Sequence, residues 1–100
     1  MNILKINNGR VELRKDNGGL IRHIGNSDAA NADINNDGSL ILVTTIIGKV
    51  ELRKENGGLI RHIGNNDVVN AKFSGSEIIL TTNKGKTELR KENGSLIRHL

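Results

Sequence analysis

The chain repeats itself, and that fact constrains its fold more than any other. The stretch from Gly9 to Gly25 returns almost letter for letter from Gly48 to Gly64, and again from Gly85 to Leu100, at spacings of 39 and 37 residues. The intervening segments match as well. Asp28 to Ile34 lies over Asp67 to Phe73, Ser39 to Thr45 over Glu77 to Thr82, and Met1 to Arg14 over Glu77 to Arg90. The whole of the 100 residues is repeat, with no linker or separate domain left over. A unit of this size cannot bury its apolar face alone, so neighbours must stack to make a core.

Each unit reads as short strands. Ile, Leu and Val supply 29 of the apolar residues, and 18 of those are β-branched, which favours a pleated, half-buried surface. Asn17-Gly18, Asn56-Gly57 and Asn93-Gly94 fall at the same place in successive units. Asn-Gly between apolar-patterned runs is a strong hairpin signal, because both residues tolerate positive φ. Asp37-Gly38 and Gly48-Lys49 mark further turns, and no helix-length stripe of period 3.6 interrupts them. In the middle unit strand a spans about Ala29 to Ile34, strand b Leu40 to Ile46, strand c Lys49 to Lys54 and strand d Leu59 to Ile63. Four antiparallel strands in about 40 residues is the period of a β-propeller blade.

These residues resemble the WD40 family along the whole chain. Asp67 to Ser74 looks like that family's strand a with its Phe-Ser ending, Asp37-Gly38 like its a–b turn, Gly48 to Leu52 like the start of strand c, and Asn56 to Arg61 like its c–d hairpin. Arg53-Lys54, Arg14-Lys15 and Arg90-Lys91 stand where the family carries Trp-Asp, and Gly25-Asn26 and Gly64-Asn65 where it carries Gly-His. The near-identity of the units is similar to that of recently amplified prokaryotic propellers. The fold expected is all-β, about 2.75 four-stranded blades of 37–39 residues: a partial blade over 1–25 (strands b to d), a full blade over 26–64 and a full blade over 65–100.

A ring needs roughly four to eight blades, so this array is expected to be completed by association, with a homodimer favoured over larger rings. A fragment of a longer repeat protein and a tolerated open array are the other completions. Zero Cys removes disulfides and thiolate chemistry, and no apolar run approaches the ~20 residues of a membrane span. No secretion signal follows Met1, and a cytoplasmic location is expected.

Several patterns invite a ligand. Asp33, Asn35, Asp37 and Gly38 match the opening of an EF-hand calcium loop, but Thr44 stands where its bidentate Glu belongs, and an Asx-type hairpin turn is preferred. His23, His62 and His99 share one strand-d position, where blades splay too far apart to share an ion, and read as surface residues. No cofactor, metal or nucleophile–base pair is expected. The net charge of +4 and the repeated Arg14, Lys15 and Arg22 positions would form a basic belt around a ring. Such a belt would hold nucleic acid through phosphates alone. One aromatic residue leaves no stacking platform, which disfavours that reading and a lectin-like one alike. Glu12/Arg14, Glu51/Arg53 and Glu88/Arg90 are expected as ion-pair rows between blades. Asn93-Gly94-Ser95 is a formal glycosylation sequon and reads as a hairpin turn.

The function expected is a non-catalytic protein-interaction scaffold. The resemblance implies partner binding on the edge formed by the d–a and b–c loops, which nominates Asn26, Asp28, Lys49, Asn65, Asp67 and Lys84 for an unidentified protein partner.

Overall fold

Local turn chemistry sets the architecture. Asn17 Oδ1 accepts from Gly19 N at 3.0 Å, and Asn56 and Asn93 repeat the bond to Gly58 and Ser95 at 2.9 Å. Each bond closes an Asx turn that reverses the chain between strands c and d. In the computed structural model, which describes residues 2–100, eleven strands follow one another through such turns. The first sheet holds β1 (Ile3–Asn7), β2 (Arg10–Arg14) and β3 (Leu20–Ile24). The second holds β4 (Ala29–Ile34), β5 (Leu40–Thr45), β6 (Val50–Lys54) and β7 (Leu59–His62). The third holds β8 (Val68–Ser74), β9 (Glu77–Thr82), β10 (Thr87–Lys91) and β11 (Leu96–His99). Strands adjacent in sequence are adjacent in each sheet and antiparallel.

The sheets stack face to face. Val11, Leu13 and Ile24 of the first sheet bury against Ala29, Ile41 and Val43 of the second. Leu42, Val50, Leu52 and Ile63 bury against Val68, Ala71, Ile78 and Leu80 of the third. Side chains alternate across a strand, so β5 sends Ile41 and Val43 one way and Leu42 the other. This strand is covered on both faces, and that is why it reads as the continuous run Leu-Ile-Leu-Val-Thr-Thr. Each such Ile or Leu contributes roughly 1.5–3 kcal/mol by leaving water. Strands a of consecutive blades lie side by side. Asn31 Nδ2 donates to Val69 O at 3.1 Å, and Phe73 N donates to Asp33 Oδ2 at 2.7 Å.

The direct overlay of Met1–Arg14 on Glu77–Arg90 shifts by one residue. Leu4 pairs with Leu13 as Leu42 pairs with Leu52 and Ile79 with Leu89. The tight turn over Asn8-Gly9, with φ of 52° and 78°, brings the paired residues one position closer along the chain than in the other two blades. Both positive values are those of a two-residue hairpin turn. One residue changes the face on which a side chain lies. Lys5, opposite Glu12, therefore takes the place that Val43 takes opposite Glu51 and Leu80 opposite Glu88. The outer face of the first blade gains a charge where its siblings are apolar. Strand b of the middle blade also ends at Thr45, which leaves Ile46 in the turn.

Candidate interaction rim

The d–a connections and the b–c turns meet along one edge of the stack. Each connection is held by two turns. Ala29 N donates to Gly9 O of the preceding blade at 2.8 Å, and Asp28 O accepts from Ile46 N of its own blade at 2.8 Å. Val68 N to Gly48 O at 3.1 Å and Asn83 N to Asp67 O at 2.8 Å repeat the pattern. The backbones approach so closely that a Cβ on Gly48 would stand 2.5 Å from Asn66 O.

The six nominated residues all lie on this rim, in two groups rather than one. Lys49 follows Gly48 and neighbours the Asn65–Asp67 connection, while Asn26 and Asp28 occupy the junction of the first and second blades. Lys84 lies on the third b–c turn, beside Asn83, which donates to Asp67 O. Asn26, Lys49, Asn65 and Lys84 are exposed, and Asp28 and Asp67 are half-buried. Asp28 Oδ1 is enclosed and lacks a hydrogen-bond partner among the described residues.

Sequence reasoning missed the apolar part of the rim. Ile46 and Ile47, at the tip of the middle b–c turn, are 72% and 61% exposed, and Val69 is 48% exposed. Val69 owes its position to a bulge, since the β8–β9 register slips between Val68 and Asn70. With Asn66, Asp67 and Asn83 these residues line a groove of about 200 Å³. The available signal was the replacement of a polar turn tip, Asn83-Lys84, by two isoleucines in the middle repeat.

The charged rows differ from the expectation of pairs spanning two blades. Arg14, Arg53 and Arg90 each bond through Nε, at 2.9 Å, to the glutamate two residues earlier on the same strand. Each also donates through Nη1 to the glycine carbonyl of the following c–d turn, at 2.6 Å for Gly18 and 2.7 Å for Gly57 and Gly94. Residues two apart share a strand face, so the nearest carboxylate is the intrastrand one. The preceding blade supplies a lid instead of a partner: a Cβ on Gly25 would stand 3.3 Å from Arg53 Nε. Among the described residues no glycine covers Arg14 in this way, and its side chain is 27% exposed, against 13% for Arg53 and 14% for Arg90.

The hydrogen bond from Arg14 lowers the Glu12 pKa below its ordinary 4.5. Bonds from the Ser39 hydroxyl and amide lower Asp37 below its ordinary 3.8. A carboxylate whose pKa falls on folding stabilises the native state above its unfolded value, and the gain is lost as pH drops through the folded value. Urea midpoints should therefore be flat from pH 7 to about 5 and fall below about 4.5, within the carboxylate range. Glu12→Gln should flatten the upper part of that fall, and an unchanged profile would count against the Arg14 pairing.

The calcium-like loop turns its oxygens inward. Asp37 Oδ1 accepts from Ser39 N at 2.9 Å and Oγ at 2.6 Å, and Asn35 Oδ1 accepts from Leu40 N at 3.0 Å. Asp33 already accepts from Phe73 N. This is an Asx-type hairpin. His23 and His99 stand 3.9 Å from Glu12 and Glu88, their cross-strand partners. Among the described residues no group of three or more His, Cys, Asp or Glu is placed to hold a metal ion. Arg61 Nη1 donates to Asn93 O at 3.2 Å and so joins two blades.

Antiparallel four-stranded sheets, stacked face to face and joined from strand d to strand a, are the blades of a β-propeller. The crystal structure of BamB from Moraxella catarrhalis is similar, with a TM-score of 0.76 and 18% identity, over 99% of this chain and 32% of that one. The likeness is one of fold, and the chain spans about a third of that protein's length. No protein-family model and no curated protein sequence matches the chain.

Proposed function

We propose that the chain is a non-catalytic, cytoplasmic protein-interaction scaffold of WD40-like blades that associates with copies of itself, as a dimer first of all. One observation carries this reading. Residues sealed between blades recur uncovered at the end of the stack. Leu42, Leu52 and Ile63 are buried, whereas their counterparts Ile79 and Leu89 are half-buried and Leu100 is 64% exposed. An apolar face of this kind favours association, and head-to-tail contacts close a ring when the rotation allows. The rim would then present Ile46, Ile47 and Val69, flanked by Lys49, Asp67 and Lys84, in symmetric copies.

Light scattering after size exclusion tests the assembly. A discrete species of twice the 10.9 kDa chain mass is expected. It should revert to one chain mass in Leu100→Glu, which places a charge on the end face. A folded wild-type monomer at all concentrations would sink the self-association. Replacing Asn26, Asp28, Lys49, Asn65, Asp67 and Lys84 by alanine should leave the assembly intact and remove partner capture. Capture that survives would remove the rim from the reading.

A further inference from the structure

The chain holds four Asn-Gly pairs, led by Asn8, Asn17, Asn56 and Asn93. Each is open to the same spontaneous reaction. The nitrogen of the following residue attacks the side-chain Cγ, ammonia leaves, and a succinimide ring forms. Water then opens the ring to an aspartyl or an isoaspartyl linkage. The balance is amide plus water to carboxylic acid plus ammonia, with no oxidant and no reactant besides water. Glycine favours the attack because no Cβ crowds its nitrogen. Pairs so alike would react at similar rates in an unfolded chain, so the fold must discriminate between them.

Three of the four are locked. The attacking nitrogens Gly18 N, Gly57 N and Gly94 N donate to the carbonyls of Lys15, Lys54 and Lys91, each at 2.9 Å. The asparagine side chains are held as well, each Oδ1 accepting from the backbone amide two residues on, at 2.9–3.0 Å. Both bonds must break before attack. Asn8 carries neither restraint. Its side chain is exposed, and neither that side chain nor Gly9 N has a hydrogen-bond partner among the described residues. The tighter first hairpin is the cause. In the other two b–c turns Gly48 N donates to Thr45 O at 3.1 Å and Gly85 N to Thr82 O at 3.0 Å, whereas the shorter span at Asn8-Gly9 forms no such bond. Stacking does not hide the tip of this turn. Ile47, which precedes Gly48 as Asn8 precedes Gly9, is 61% exposed between two flanking blades. The reaction is therefore compatible with the self-association proposed above.

We propose that Asn8 is the chain's site of spontaneous deamidation, and that its isoaspartyl product loosens the junction of the first and second blades. An isoaspartyl linkage routes the main chain through the side chain and lengthens it by a methylene carbon. The junction has no slack for it. A Cβ on Gly9 would stand 2.5 Å from Ser27 O, and the Gly9 carbonyl accepts from Ala29 N at 2.8 Å. A two-residue hairpin turn fixes the register of its strands, and an inserted backbone atom disturbs that register. The aspartyl product leaves the backbone as it was and adds only a negative charge.

The test incubates the whole chain in mildly alkaline buffer, with and without concentrated urea. Peptide mass spectrometry with electron-based fragmentation follows each pair and separates the two linkages. In buffer Asn8 should convert roughly tenfold or more faster than Asn17, Asn56 and Asn93, as the loss of two net hydrogen bonds at each of those sites requires. In urea the four rates should converge. The Ala29 amide should lose protection from hydrogen exchange in proportion to the isoaspartyl fraction. Asn8→Asp, which carries the charge on an unaltered backbone, should keep that protection, and Asn8→Gln should keep it through the same incubation. Faster conversion in buffer at Asn26 or at any c–d pair would overturn the proposal. So would a lead for Asn8 that persists in urea, or an isoaspartyl fraction whose Ala29 amide stays protected.

Discussion

Ile63→Ala is expected to lower the stability of the chain by about 3 kcal/mol, within the usual cost of emptying a buried large aliphatic site. Leu100→Ala, the corresponding truncation at the same repeat position, should cost less than about 0.5 kcal/mol in dilute solution, as exposed substitutions do. Ile63 is fully buried between the second and third blades, whereas Leu100 is 64% exposed. Both anchor their strand alike, through Ile63 N to Val50 O at 3.0 Å and Leu100 N to Thr87 O at 2.9 Å. The comparison therefore isolates the cover supplied by a following blade. Urea denaturation of the two variants measures it, and a difference of 3 kcal/mol corresponds to roughly 15 °C in melting temperature for a domain this size. Equal losses at both positions would show that Leu100 is covered in solution.

Gly48→Ala should be the most damaging glycine substitution on the rim, at about 3 kcal/mol. Two costs combine. A Cβ at φ 88° is strained by about 1 kcal/mol or more, and here it would stand 2.5 Å from Asn66 O. Backbone cannot step aside as a side chain can, so overpacking adds a further ~1–3 kcal/mol. Gly85→Ala shares the strain without the collision and should cost about 1 kcal/mol. Thermal melts of the two variants read the difference directly. Similar losses would mean that φ alone keeps glycine at these turns.

Much of the blade architecture was legible in the sequence because its determinants are local. Asn56-Gly57 fixes a hairpin, and the strands of the middle blade fall within about one residue of their expected ends. The errors have physical sources. The overlay of β1 on β9 failed because a hairpin tolerates a shorter turn, and sequence similarity does not record which face that turn selects. Ile46 looked like strand because it is β-branched, yet the bond from its N–H to Asp28 O belongs to the rim. The Glu51–Arg53 bond runs within β6 because strand geometry places the nearer carboxylate there.

The near-identity of β2, β6 and β10 also bears on how the chain finds its partners while folding. Strand β5 meets an acceptable edge in more than one hairpin, because Glu-Leu-Arg-Lys recurs at Glu12, Glu51 and Glu88. Proximity along the chain breaks the tie. Pairing with β6 closes a tight turn over 46–49, whereas pairing with β10 closes a loop of about forty residues and costs about 2 kcal/mol more in chain entropy. That margin, roughly thirtyfold per pairing event, steers each strand to its own blade where side-chain identity offers no guidance. Lengthening the 46–49 turn with a flexible insert would erode the margin and let blades exchange strands within one chain or between chains.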